Sequence, residues 1–193
     1  MGEPAGPRVV RPGEGAMGAR RAGVAVACWI LLAWIAGATA QPAPDKAKLV
    51  AAARGVMQKA RYCALVTLGP DGQPQARVVD PLPPEPDLTV WIATNPATRK
   101  VSELGRDPRL TLFYFDASGP GYVTLIGTGE LVTDPAERAR RFKEDWAPFY
   151  KDRHRGDDFV LIRARPSRIE IVSARHGVES DPVTWRPTTL DLP

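Results

Sequence analysis

The sequence predicts a mainly β domain of the α+β kind: an antiparallel sheet curled into a small closed barrel, with two or three helices in its connections. Three observations carry this. Stretches rich in β-branched and aromatic residues recur at short spacing, over residues 62–68, 74–80, 89–94, 109–116, 122–133, 159–164 and 167–172. Turn chemistry rather than helical sequence joins most of them, clearest in Gly69-Pro70-Asp71-Gly72. The longest stretch contains Gly127 and Gly129, which predict the bend or bulge that barrel closure needs. A doubly wound parallel sheet is not expected, because its strands would alternate with helices.

The first 40 residues differ from the rest. Arg20-Arg21 precedes an apolar run over residues 22–36, and Ala38-Thr39-Ala40 forms a small-residue cleavage pattern before Gln41. A basic start, a short apolar core and small residues at the cut make a secretory signal peptide. The run is shorter than the roughly 20 residues a membrane-spanning helix needs. The expectation is therefore export to the periplasm or medium, with cleavage after Ala40; an uncleaved leader would instead tether the chain to the membrane. Met17 is an alternative start. The mature chain divides into a barrel domain, 41–172, and a C-terminal tail, 173–193, that packs on it.

The elements follow in order. Asp45 caps a helix to about Ala60, with Leu49, Val50, Ala53, Val56 and Met57 at helical spacing. Residues 62–68 and 74–80 pair across the Gly-Pro-Asp-Gly turn. Residues 81–87 hold four prolines and form a rigid loop. The strand 89–94 ends at Asn95-Pro96, and Thr98 is the N-cap of a second helix reaching Arg106. Asp107-Pro108 stops that helix. Asp134 and Pro135 begin a third helix, expected to run to Trp146. Pro166 is expected to divide 159–164 from 167–172, and the tail, with Pro182, Trp185 and Pro187, to lie across the surface.

Composition narrows the function. The chain has 193 residues and a formal charge of +4. The leader holds four arginines against two glutamates, so the mature domain is only mildly basic, too little to argue for nucleic acid. Cys63 is the only cysteine after the leader, so no disulfide closes within the mature chain and a hydrophobic core must hold it. On a strand, Cys63 is expected to act as a small buried hydrophobe. His154 and His176 are too few and too far apart for a metal site by themselves; with Asp157 and Asp158, His154 belongs to a solvated charged loop or a lid. No nucleophile, base and orienting group stand together in a motif. Trp146 and Tyr150 are expected in the core or an interface, with stacking on a ligand as the alternative.

One stretch does not fit stability alone. After Thr94-Asn95-Pro96-Ala97-Thr98, Arg99 and Lys100 occupy the first turn of the helix, where the macrodipole favours anions. Free amides, a Thr hydroxyl and two cations suit a phosphate; a solvated helix start whose cations point outward fits as well. Arg77 alternates with Gln75 and Val79 on its strand, and solvent is the ordinary fate of such a side chain.

Four motifs in order carry a resemblance. They are Arg77-Val78-Val79; Thr94-Asn95 with Thr98-Arg99-Lys100; Asp107-Pro108-Arg109-Leu110-Thr111-Leu112; and the run from Tyr122 to Asp134. The chain resembles the pyridoxamine 5′-phosphate oxidase-like family, in its general-stress-protein branch, from about Asp45 to Val172. The resemblance implies a six-stranded antiparallel split barrel that forms a homodimer, with FMN in the groove between subunits. It implies that Arg77 reaches the FMN phosphate or ribityl chain and that the backbone of Val78 and Val79 faces the isoalloxazine ring. Thr94 would meet the flavin, and Thr98, Arg99 and Lys100 would hold the phosphate. Tyr122 stands where the oxidase offers a glutamine, and the oxidase's substrate-binding arginine and histidine have no match. Three functions follow as alternatives: an exported FMN-dependent oxidoreductase acting on a small molecule; a module that binds FMN, haem or deazaflavin without turnover; and a cofactor-free dimeric interaction domain.

Overall fold

The computed structural model describes residues 45–193. The expected leader and the first residues of the mature chain lie outside them. Helix α1, Lys46–Ala60, starts where Asp45 Oδ1 accepts the amide of Ala47 at 2.9 Å. Its apolar face, Leu49, Ala52, Ala53, Val56 and Met57, is buried against the sheet. Strands β1 (Cys63–Leu68) and β2 (Pro74–Val79) form the expected hairpin. Gly72 takes φ +78° in its turn, a backbone conformation glycine adopts at little cost. Strand β3 is Val90–Thr94, helix α2 Arg99–Arg106, β4 Arg109–Asp116 and β5 Gly121–Val132.

All strand pairs are antiparallel, in the order β2-β1-β4-β5-β6-β3, where β6 is Val160–Ser173. The two edge strands, far apart in that order, come together at one point. Pro81, just past β2, bridges Ile92 of β3, and the Leu82 amide donates to the Trp91 carbonyl at 2.8 Å. The sheet thus curls into a barrel that is closed at one bridge and open beside it. Its interior holds Leu65, Ile92, Leu112, Leu125, Ile162, Ile169 and Ile171, all fully buried. Each such side chain contributes about 1.5–3 kcal/mol by leaving water.

Two expectations are corrected, and one element is added. Residues 159–164 and 167–172 are one strand, because a register shift opposite Gly127 absorbs Pro166 instead of ending the ladder. The helix from Asp134 stops early: α3 is Pro135–Arg140, and a 3-10 turn, Glu144–Phe149, replaces its continuation. There Lys143 Nζ donates to the Pro81 carbonyl at 3.0 Å and Trp146 Nε1 to Asp80 Oδ2 at 3.2 Å. These bonds tie the segment to the proline loop, and Pro148 within it cannot donate to a helical ladder. The tail adds a seventh strand, β7 (Thr188–Asp191), paired with β6.

Candidate functional site

The opening in the barrel forms a groove of about 390 Å³. Its floor is the end of β2, with Arg77, Val78, Val79 and Asp80; Ala93 of β3 and Lys100 of α2 face it; and Tyr62, Trp146, Phe149 and Tyr150 complete the wall. The volume lies in the range of small-molecule sites. Because β2 is a sheet edge, part of its main-chain hydrogen-bonding capacity is unclaimed by a neighbouring strand. Two apolar side chains stand open here: Val78 is 74% exposed and Phe149 77%. Trp146 and Tyr150 are buried in an aromatic cluster with Phe142 and Phe159, the core placement expected for them, and they also line the groove. His154 packs its ring on Phe142, 5.8 Å between centroids.

Four of the eight expected site residues, Arg77, Val78, Val79 and Lys100, line the groove, and Thr94 and Thr98 stand behind Lys100. Lys100 Nζ donates to Thr94 Oγ1 at 2.9 Å, and Thr94 and Thr98 hydroxyls lie 3.2 Å apart. Thr98 stands at the N-cap, but its hydroxyl donates to the Asn95 carbonyl at 2.7 Å instead of capping α2. Arg77 shares the groove with Lys100, and Arg99 flanks them on the outer side of α2, two-thirds exposed. Val78 and Val79 lie along the groove floor. Tyr122 is elsewhere: it lies on β5 against Phe113 of β4, ring centroids 5.7 Å apart.

Arg77 is not solvated. Its guanidinium pairs with the Glu103 carboxylate at 2.8 Å and hydrogen-bonds Thr67 Oγ1. Glu103 is fully buried; its other contacts are the Thr67 hydroxyl at 2.5 Å and Arg99 Nε at 3.1 Å. Burial pushes its carboxyl up, but the hydrogen bonds from Thr67 and Arg77 and the charges of Arg77 and Arg99 outweigh that and hold it below the ordinary value. The two cations in the first turn of α2 are thereby explained in part, since Arg99 and Glu103 form an i,i+4 pair. Burial also lowers Lys100, as does the nearby charge of Arg77, with Glu103 acting against them.

The sequence expectations omit Tyr62, Asp80, Ala93, Phe149 and Glu103 from this region. An exposed aromatic in a polar stretch is a signal for Phe149; Glu103 has none, because its partners Thr67 and Arg77 belong to other elements. Cys63 is buried, and burial pushes its thiol up to about 12, so it is held as the neutral thiol. Among the described residues no cluster of His, Cys, Asp and Glu is arranged for a metal ion.

The family model for pyridoxamine 5′-phosphate oxidase matches residues 49–173. The chain belongs to the pyridoxamine 5′-phosphate oxidase family. Among solved structures, a Clostridium acetobutylicum protein related to general stress protein 26 of B. subtilis is similar at 17% identity, TM-score 0.63, covering 75% of this chain and 94% of that one. A pyridoxamine 5′-phosphate oxidase-related, FMN-binding protein from Nostoc punctiforme is 13% identical, TM-score 0.54, covering 81% of this chain and 100% of that one. A heme-binding protein from Mycobacterium smegmatis is 21% identical, TM-score 0.55, covering 74% of this chain and 57% of that one. At these identities the likeness is one of fold. A sequence search of curated proteins gives no match. The family's split barrel is the architecture found here, and the groove occupies its split.

Proposed function

We propose that this family member is an exported, homodimeric FMN-binding protein with oxidoreductase chemistry toward a small molecule. The observation that carries the reading is the union of Arg77 and Lys100 in one groove, with the Thr94 and Thr98 hydroxyls behind Lys100. Cations and hydroxyls at one end suit a phosphate. Apolar and aromatic walls and a strand edge along the rest suit a flat ring with polar edges. The donor set thus fits FMN: Arg77, Thr98, Arg99 and Lys100 would hold the phosphate, Thr94 would meet the flavin, and the backbone of Val78 and Val79 would face its ring. Bound flavin supplies two-electron redox chemistry, and the protein supplies placement and exclusion of water. Tyr122, distant from the groove within one chain, contributes through a second copy.

The test is purification of the full chain with its visible spectrum, followed by titration with FMN and riboflavin. FMN is expected to bind more tightly than riboflavin. Arg99→Ala with Lys100→Ala weakens FMN by about 10–100-fold, the loss of charge-assisted bonds, and leaves riboflavin nearly unchanged. Equal losses for both ligands reject these residues as the phosphate cradle. A Soret band from the purified protein, or a deazaflavin spectrum, assigns the groove to those cofactors instead. Colourless protein that takes up no added FMN leaves the dimeric interaction domain.

A further inference from the structure

Glu103 is the part of this site that a phosphate cradle does not ask for. A carboxylate beside the expected phosphate repels it, and burying that carboxylate completely is unfavourable in itself. Stability does not require it either, since a buried ion pair is frequently no better than apolar residues filling the same space. What it does is visible in the geometry of Arg77. β2 is an edge strand, and Arg77 sits between exposed Ala76 and exposed Val78. A long side chain there would ordinarily sample many rotamers in water. Instead the guanidinium is fastened by Glu103 Oε2 at 2.8 Å and by Thr67 Oγ1, while Glu103 Oε2 also accepts from Thr67 at 2.5 Å. The three groups form a closed triangle between α2, β1 and β2, and Arg77 keeps its place in the groove lining.

We propose that Glu103 is a positioning residue for phosphate recognition, holding Arg77 ordered at the groove before any ligand arrives. The inference rests on the reading of the groove as an FMN site. Preorganisation of this kind removes the ordering penalty of an Arg side chain from the binding step. Glu103 also sets the charge of the site. Arg77, Arg99 and Lys100 against one carboxylate leave two net positives, matching the roughly −1.5 to −2 of a phosphate monoester near neutral pH. The ordering of Arg77 acts on the phosphate end alone, so it favours FMN over riboflavin without touching the ring site, and it is expected to outweigh the repulsion of one carboxylate.

The experiment is a double-mutant cycle on the full chain, reading FMN and riboflavin affinity by quenching of flavin fluorescence. Glu103→Gln keeps the shape and an acceptor oxygen but removes the charge that fastens Arg77. It is expected to weaken FMN about three- to tenfold and leave riboflavin unchanged. Arg77→Gln weakens FMN more, and the double variant is no weaker than Arg77→Gln alone, because Glu103 acts through Arg77. If Glu103→Gln lowers the melting temperature while the FMN-to-riboflavin ratio stays at the wild-type value, or if the two losses add, Glu103 serves only the fold and the proposal is overturned. Should Glu103→Gln fail to fold, Glu103→Asp keeps the charge and withdraws it from Arg77; it is expected to lose the same ratio, and a wild-type ratio there overturns the proposal. Wild-type protein that does not prefer FMN to riboflavin is a distinct result, rejecting the site reading itself.

Discussion

Lys100 is the residue at which the site's electrostatics are most directly measurable. Its ammonium is part-buried, donates to Thr94 and shares the groove with Arg77. Burial and the Arg77 charge lower its pKa from 10.5 in the free protein, in spite of Glu103. A phosphate bound beside it raises the pKa again, so binding takes up a proton. The sign follows: the phosphate contribution to FMN affinity is complete below the free-protein pKa of Lys100 and is lost as pH rises through the pKa of the complex. FMN titrations across the alkaline range are therefore expected to show a falling limb that begins below pH 10.5. Riboflavin titrations show none, and Lys100→Met abolishes the limb for FMN. A limb common to both ligands places the titrating group at the ring. The same residue shows how far a sequence reaches. Two cations in a helix's first turn are conspicuous against the macrodipole, and so Lys100 was legible. The fate of Arg77 was not, because alternation on a strand assigns a face and says nothing of a carboxylate arriving from another element.

At the level of elements, the barrel's curl depends on the crossing of β5 and β6 at Gly127. The register shifts there, leaving Ser167 as the extra residue, with its hydroxyl on the Ile126 carbonyl at 3.3 Å. A Cβ on residue 127 would stand 2.0 Å from the Arg165 carbonyl oxygen and 2.7 Å from Pro166 Cα. Backbone cannot rotate away as a side chain can, so Gly127→Ala is expected to destabilise by about 2–3 kcal/mol or more, read as a lowered urea midpoint. A change below about 0.5 kcal/mol would mean that the strands separate without penalty at the bulge. Gly129 serves the site more directly: a Cβ there would come 2.7 Å from Leu110 Cδ2 and 3.1 Å from Leu104 Cδ2, the contacts that let α2 lie close on the sheet. The bend was legible at Gly127; Gly129, which stays in register with Ala164, was expected to bend the strand and instead makes room for α2. The union of residues 160–173 into one strand was not, because Pro166 lacks a donor and signals a break unless a bulge absorbs it. Nor was β7, whose four residues follow Pro182 and Pro187 and are ordered by pairing with β6 and by packing Leu190 on the core. The helix from Asp134 was overextended for a related reason: its periodicity is real as far as Arg140, but long-range bonds from Lys143 and Trp146 to the proline loop outweigh local propensity.

For the whole molecule, the outer face of the central strands bears on assembly. Along β4 the inward residues Leu110, Leu112 and Tyr114 are buried, whereas outward Phe113 and Phe115 are 39% and 55% exposed. Tyr122, opposite Phe115 on β5, packs its ring against Phe113. Single exposed aromatics are ordinary on a surface; three side by side on neighbouring strands form a patch suited to a partner. A homodimer through this face would bury Tyr122 at the interface, and whether it also reaches the flavin of the other copy is read from the monomer. Sedimentation equilibrium is expected to show a dimer at micromolar concentration. Phe115→Glu shifts it to monomer, with stability of the isolated domain changed by no more than about 0.5 kcal/mol, since the position is exposed. Flavin titration of that monomer then separates two designs. Wild-type affinity in the monomer means that one chain's groove is sufficient and Tyr122 is not a ligand. Loss of FMN and riboflavin together, with the phosphate preference intact in whatever binding remains, means that the second copy supplies the ring side of the site while Arg77, Arg99 and Lys100 supply the phosphate side.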